Sequence, residues 1–224
     1  QASPLLNANN GVDVGREMVS VSMLVKAPYV LFARANLPFT NMAELIAYSK
    51  ANPDKLKFGA ASQVQDLVMA VIKAHTGITS ISIPYRGSPP IVTALLADEV
   101  DIAISSAPPF LAHLQSGRML AMMVASDKRM PILASTPTAF EVGVPADLGL
   151  FVGLWAPAGT PNDVVRRLAT AFGSAIKSPA ASEQLRKTFG AEPIGSTPGE
   201  LSRMFEAHMK IRSEEHTSEL QSRL

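Results

Sequence analysis

Three serine hydroxyls in the middle of the chain have the residue type and spacing that suit the binding of a small anion. Ser88 is followed by Pro89, and Ser105 and Ser106 follow the apolar run 102–104. A serine followed by a proline is typical of a helix start, where the hydroxyl accepts a free backbone N–H, and the apolar run predicts a short buried strand. Hydroxyls at the carboxyl end of a strand, beside the amino end of a helix, suit a carboxylate. The spacing therefore predicts an anion-binding edge.

Alternating strands and helices are predicted on both sides of these serines. Asn41 with Glu44 three residues later is a capping box, so a helix is expected to begin there and to end before Asn52. Thr160 and Thr197, each followed by proline, are expected to cap two further helices. The order strand, helix, strand, helix, strand is typical of parallel sheets with helices on both faces. The predicted strands are one or two segments within 18–33, then 56–60, 79–83, 102–104 and 119–125, with helices over about 67–75 and 88–98.

Five segments of the chain follow one known family in order and spacing. They read LPFTNMAELIAYSKANPDKLKFGAAS, IPYRGSPPIVTALLADEVDIAISSAPP, SGRMLAMMVASDKRMPILASTPTAFEVGVP, APAGTPNDVVRRLATAF and FGAEPIGSTPGELSRMF. On these segments the chain resembles the substrate-binding proteins of tripartite tricarboxylate transporters, also called Bug receptors. The resemblance covers about residues 2–212. It implies an α/β fold of the two-lobed periplasmic-binding-protein type (type II-like), with parallel-rich sheets flanked by helices.

The resemblance also implies how the chain divides. A discontinuous first lobe is expected over residues 1–30 and 125–212, and a second lobe over 31–124. Compared with the family, the first lobe is expected to lack an N-terminal part that includes a Gly-rich ligand loop, so the chain is interpreted as an N-terminally truncated fragment. Residues 213–224, within the stretch RSEEHTSELQS, are interpreted as a non-native tail derived from a sequencing adapter. The alternative is a genuine solvated end of a C-terminal helix.

Ligand loops are expected where parallel strands end, at 61–66, 85–88, 105–107 and the turn near Trp155. In the family the first of these loops ends in a histidine, and here Asp66 stands near that position; Ser105 stands where many relatives have aspartate. A pocket with few fixed charges, lined by hydroxyls and backbone N–H groups, is expected to favour a carboxylate over a cation. The candidate ligand-binding residues are Ser62, Gln63, Gln65, Asp66, Tyr85, Arg86, Gly87, Ser88, Ser105 and Ser106.

Each of these candidates also has a purely structural interpretation. The polar residues of the first loop could cap the helix that follows them, and Ser105 and Ser106 could simply end a strand. Tyr85 could pack its ring against the core, and Arg86 could lie in solvent at the edge of its loop. Trp155 is expected to pack in the core or near a hinge. The residue types alone leave these alternatives open.

Composition and missing motifs argue against several classes of function. The 224 residues are 47% apolar and 17% charged, with a net charge of +1 and no cysteine, which allows a substantial core and gives no electrostatic reason to bind nucleic acid. No run of 18 apolar residues marks a membrane span. The GxSxG, Walker, GxGxxG and HExxH motifs are absent, and the four histidines are isolated in the sequence. We therefore predict no catalytic residue, no metal site and no cofactor.

The sequence is thus interpreted as an extracytoplasmic solute-binding receptor, periplasmic by resemblance. It is expected to capture a small organic acid in a cleft between its lobes, and lobe closure would be read by the membrane components of a tripartite tricarboxylate-type transporter. Citrate, another dicarboxylate or tricarboxylate, an acidic amino acid and an aromatic acid all remain open as ligands. Two other functions also remain open: a ligand-sensing module of the same fold that signals to a regulator, and an enzyme of unknown reaction.

Overall fold

The structure is a computed structural model that describes residues 14–206. These residues form two compact units. The first unit contains residues 14–26, 151–183 and 192–206, and the second contains 27–150 and 184–191. Residues 125–150, expected in the first lobe, belong to the second compact unit, and the lobe boundaries of the protein stay a prediction. The tail at 213–224 and the start of the expected first lobe lie outside the described residues.

The strands and helices predicted between residues 18 and 125 are present, but the helix predicted over 67–75 already begins at Gln63, within the predicted loop 61–66. The sequence did not predict the elements at Leu111–Gln115, Gly149–Pro157, Pro179–Phe189 and Glu192–Pro193. Three short 3-10 turns, at Pro108–Phe110, Pro131–Leu133 and Phe140–Val142, lie between the helices and strands. In chain order the elements are α1 (Val14–Glu17), β1 (Met18–Pro28), β2 (Val30–Arg34), α2 (Met42–Ala51), β3 (Lys57–Ala60), α3 (Gln63–Thr76), β4 (Ile81–Pro84), α4 (Ser88–Leu96), β5 (Ile102–Ser105), α5 (Leu111–Gln115), β6 (Met119–Val124), β7 (Gly149–Pro157), α6 (Asn162–Lys177), α7 (Pro179–Phe189), β8 (Glu192–Pro193) and α8 (198–206).

The second unit is built on a five-stranded sheet with the strand order β4-β3-β5-β2-β6. β3 runs parallel to β4 and β5, whereas β2 runs antiparallel to its neighbours β5 and β6. Four strands therefore share one direction, as the predicted strand–helix alternation requires, and β2 is the exception. The chain reaches β2 directly from β1, without the crossover helix that a parallel neighbour would need.

Both faces of this sheet are buried along β2, β3, β5 and β6, which explains why these strands read as continuous apolar runs, whereas the edge strand β4 is largely exposed. Leu31 and Ile104 belong to one apolar cluster, and their neighbours Phe32 and Ala103 belong to the other. Side chains of α2 and α3 cover the first cluster, and side chains of α4 cover the second. The ring of Phe32 stacks on that of Phe110 with centroids 4.1 Å apart. The sheet is therefore a fixed platform for the loops at its edges.

The helix starts are fixed by side chains that accept backbone N–H groups. At α2 the Oδ1 of Asn41 accepts from the N–H of Glu44 (3.0 Å), and the Glu44 carboxylate accepts from the N–H of Thr40 (2.7 Å), which confirms the predicted capping box. Thr197 and Glu200 form the same reciprocal pair before α8. Thr160 does not cap α6 as predicted, because its hydroxyl donates to the carbonyl of Pro157 (2.7 Å) and residue 161 is the N-cap.

The first unit contains a three-stranded sheet with the order β7-β1-β8. Val21 and Ala156 of this sheet form a small core with Val165 of α6. Trp155 packs edge-to-face on Phe205, with ring centroids 6.1 Å apart. This contact agrees with the packing role expected for the tryptophan.

Neither a membrane span nor a metal cluster is present in the part of the chain that the structure describes. No helix between residues 14 and 206 is both long and apolar enough to cross a bilayer. Over the same range, no three carboxylates or imidazoles are grouped closely enough to hold a metal ion.

A buried carboxylate joins three strands at the end of the sheet where β5 begins. Asp101 accepts from the Arg34 guanidinium through Oδ1 (2.8 and 2.9 Å) and from the backbone N–H of Lys57 through Oδ2 (2.9 Å). It is the one buried acid among the described residues. Asp98 lies 3.4 Å from the same guanidinium, but its side chain is 53% exposed. The two aspartates thus contact one arginine in different solvent environments.

We expect Asp101→Ala to lower the free energy of unfolding by about 2 kcal/mol, because the half-buried Arg34 guanidinium loses one of its acceptors and the backbone N–H of Lys57 loses its acceptor. The matched control is Asp98→Asn, which suits the positive backbone φ at that residue and should change stability by less than about 0.5 kcal/mol. Urea unfolding of both variants measures the difference. Equal losses would contradict the account.

Candidate functional site

The carboxyl ends of β3, β4 and β5 lie side by side at one edge of the five-stranded sheet, because β3 pairs in parallel with both neighbours. Each strand leads within two or three residues to a helix or 3-10 turn. The first N–H groups of α3 and α4 have no partner within their helices, and together with the helix dipole they favour negative charge. We call residues 61–66, 85–88 and 105–107 the strand-end edge.

Ser88 and Ser105 are paired at this edge. Their hydroxyl oxygens are 2.9 Å apart, and Ser105 is only 1% exposed. The prediction that Ser88 caps α4 is wrong: Gly87 is the N-cap with a φ of +95°, which places Ser88 in the first helical turn, where its hydroxyl reaches β5 instead. Because one proton is shared between the two hydroxyls, the other proton remains for a third partner. The pair can thus donate to a bound anion.

Gln65 combines burial with a fixed contact to the end of β3. Its side-chain Oε1 accepts from the backbone N–H of Ala61 (2.5 Å), and the residue is 5% exposed. Ser62 is the N-cap of α3, but its hydroxyl makes no capping hydrogen bond, and Ser62 and Gln63 are both exposed. Of the two residues, Gln65 therefore makes a side-chain hydrogen bond at the start of α3, and Ser62 does not.

Asp66 has a structural partner on the neighbouring strand. Its Oδ1 accepts from the Ser82 hydroxyl of β4 (2.6 Å). Burial lowers the pKa of Lys73, and the charges of Asp54 and Asp66 oppose that shift. The Lys73 ammonium donates to the carbonyl of Ser80 (2.7 Å). Asp66 therefore contributes to the packing of α3 against β4.

The segment 85–88 places an aromatic ring and a cation at the edge. Tyr85 is half-buried against the apolar cluster beneath α4, and its pKa is raised by burial and, to a smaller extent, by the negative charge of Glu99. Arg86 is exposed, and its guanidinium has no ion-pair partner among residues 14–206. Ser106 is half-buried after β5. The ring of Tyr85 therefore packs against the core and Arg86 lies in solvent, and a contact of either residue with a ligand stays a prediction.

Sequence reasoning missed two segments at this edge. Val30 pairs with Ser105 across β2 and β5, so Tyr29 lies beside the strand-end edge. The carbonyl of Tyr29 accepts from the N–H of Ala125 (2.8 Å), which brings the end of β6 to the same place. No local signal indicated that β2 inserts in antiparallel orientation between β5 and β6, so neither segment could be assigned to the site beforehand.

One family model matches nearly the whole chain. Its description is TctC, tripartite tricarboxylate transporter family receptor, and it matches residues 3–215. A UPF0065 protein of Bordetella pertussis is 32% identical over 92% of this chain and 69% of its own length. Protein BugT of the same organism is 31% identical over 81% of this chain and 56% of its own length. The chain therefore spans between about half and two thirds of these curated relatives.

Three solved structures also match most of this chain. R. palustris Rpa4515 with adipate matches with a TM-score of 0.80 and 29% identity, covering 91% of this chain and 69% of that one. MatC from Rhodopseudomonas palustris with bound malate matches with a TM-score of 0.71 and 25% identity, covering 86% and 67%. The periplasmic binding protein BugD matches with a TM-score of 0.75 and 28% identity, covering 90% and 69%. These matches confirm the predicted α/β periplasmic-binding-protein fold class.

The serine pair has a consequence for stability in the absence of any solute. We expect Ser88→Ala and Ser105→Ala each to lower the free energy of unfolding by about 1 kcal/mol, because each leaves the other hydroxyl without its partner. The double variant should lose about 1 kcal/mol less than the sum, since the shared hydrogen bond can be lost only once. A double-mutant cycle in urea measures this coupling, and strictly additive losses would show that the hydroxyls do not interact.

Proposed function

This chain belongs to the tripartite tricarboxylate transporter receptor family, and we propose that it is a solute-binding receptor that takes a small organic acid at the strand-end edge. The family and its fold neighbours are solute-binding receptors and not enzymes, which confirms the expectation that the chain is not an enzyme. The observation that carries the proposal is the convergence of hydrogen-bond donors on this edge.

The donors at the edge are of three kinds. The Ser88 and Ser105 pair has one proton to give, and the first turn of α3 presents the backbone N–H groups of residues 63 and 64. α4 adds only the N–H of Ser88, because the next two residues are prolines, which have no N–H. Arg86 adds a cation without an ion-pair partner among the described residues. Such donors favour a carboxylate, because a hydrogen bond to a charged group is about twice as strong as one between neutral groups. A bound anion would also gain about 0.3–1 kcal/mol from each helix dipole.

Few acceptors at the edge compete with this preference. Asp66 is the only acidic residue in the three segments, and its Oδ1 already accepts from Ser82. Donors therefore outnumber acceptors at the edge, where the remaining acceptor sites of Asp66 are the only carboxylate sites open to an ammonium group. This excess of donors favours an organic acid over a cation or a basic amino acid.

The comparisons support the same class of solute. Two structural neighbours, Rpa4515 and MatC, are described with adipate and with malate, which are both small dicarboxylic acids. We extend this class, and no individual acid, to the present chain. We also propose a periplasmic location and delivery of the solute to the membrane components of a tripartite transporter, both supported by the family to which the chain belongs.

Isothermal titration calorimetry on the full-length protein tests the proposal. The acids are adipate, malate, citrate, glutamate and benzoate, and arginine is the cationic comparison. At least one acid should bind, and arginine should not. Ser105→Ala should weaken that acid by about tenfold to a hundredfold, because it removes a hydrogen bond to a charged group.

The matched control is Ser116→Ala, which removes an exposed hydroxyl that donates to the carbonyl of His113 at the end of α5, outside the strand-end edge. Its affinity for the acid should match that of the unaltered protein. Binding of arginine in preference to every acid would contradict the proposal.

A further inference from the structure

We propose that the side-chain amide of Gln65 is a fixed hydrogen-bond donor that selects solutes with an acceptor oxygen at its position. The proposal rests on the function proposed above and assigns part of its specificity to one residue. Gln65 is 5% exposed, in the first turn of α3. A buried amide next to an anion-binding edge requires an account of all its hydrogen-bonding atoms.

The contact with Ala61 fixes the orientation of the amide. The backbone N–H of Ala61 is a donor, so the side-chain atom 2.5 Å from it must be the oxygen of Gln65. The oxygen and nitrogen of a glutamine cannot exchange places where one of them faces an obligatory donor. The NH2 group therefore occupies the other position, and it can only donate.

The nitrogen of this amide has no acceptor among the described residues. Among the described residues, Ser80 Oγ is the one side-chain nitrogen or oxygen atom that has neither a hydrogen-bond partner nor contact with solvent. The Gln65 nitrogen also has no partner, so it must be in contact with solvent. Its place is set by Ala61, which follows β3, between the carboxyl ends of β4 and β5. The amide thus presents unused N–H groups at the strand-end edge.

Three exposed glutamates among the described residues make a comparable contact. Glu44 accepts from the N–H of Thr40, Glu141 from that of Thr138 and Glu200 from that of Thr197. In each case the backbone hydrogen bond is the main cause that lowers the pKa of the glutamate, so the charged form suits this contact where water solvates it.

At α3 Gln65 makes this contact at a position that is 5% exposed, where a neutral amide avoids the cost of burying a charge. Unlike a carboxylate, the amide also carries a donor, and the contact with Ala61 does not use it. A solute oxygen can take that N–H. A carboxylate, carbonyl or hydroxyl oxygen of the solute can accept from it, whereas an ammonium group cannot.

The test compares the affinities of the Gln65→Glu and Gln63→Glu variants of the full-length protein for adipate and malate. Both substitutions add one negative charge to the first turn of α3, but only the first replaces the unused donor by an acceptor. We expect Gln65→Glu to weaken the bound acid at least thirtyfold, and Gln63→Glu to weaken it no more than about fivefold, the effect of charge near a helix end.

A second readout is independent of folding defects, because it uses the unaltered protein. In nuclear magnetic resonance spectra of the unaltered protein, the side-chain amide signals of Gln65 should shift on addition of the acid.

Equal losses of affinity in the two glutamate variants, or an amide signal that does not move when acid binds, would overturn the role of Gln65 while the proposed function stands. A protein that binds none of the organic acids tested would overturn the proposed function, and the role of Gln65 with it.

Discussion

The parallel register of β3 with β4 and β5 is the constraint on which the candidate site depends. Ala60 lies opposite Pro84, and Gly59 lies opposite both Ile83 and Ala103, so the loops that follow the three strands leave the sheet at the same level. Because the sheet is buried on both faces, a shift of one residue would move the side chains of a strand to the wrong apolar cluster. The burial that stabilises the unit therefore also aligns the helix starts that face the proposed solute.

The polar groups at this edge divide into those already engaged and those left unused. Asp66 is bound to Ser82, and the oxygen of Gln65 is bound to Ala61. The unused donors are one serine proton, the first N–H groups of α3, the N–H of Ser88, the Gln65 amide nitrogen and the Arg86 guanidinium, and they outnumber the one unused acceptor group, the second oxygen of Asp66. An oxygen-rich solute satisfies such a set without any catalytic group, which suits a receptor that must release its solute unchanged.

Local signals predicted the helices and strands well. Asn41 and Glu44 predicted the start of α2, and the apolar run 102–104 predicted β5, because capping and burial are visible within a few residues. Non-local pairing was not visible: nothing in the sequence placed the antiparallel β2 between β5 and β6. At the site, the spacing selected Gln65, Ser88 and Ser105, but their partners depend on three-dimensional contacts. The failure of Ser88 as a cap follows from the positive φ of Gly87, which a sequence pattern does not specify.

The central claim is that a carboxylate of the solute binds at the strand-end edge of the second unit. A crystal structure of the protein with a bound organic acid tests this claim most directly, because it places each carboxylate oxygen relative to the donors. The account predicts a carboxylate oxygen within about 3.2 Å of the Gln65 amide nitrogen or of a hydroxyl of the Ser88 and Ser105 pair. An acid bound elsewhere, with water alone on these groups, would contradict it.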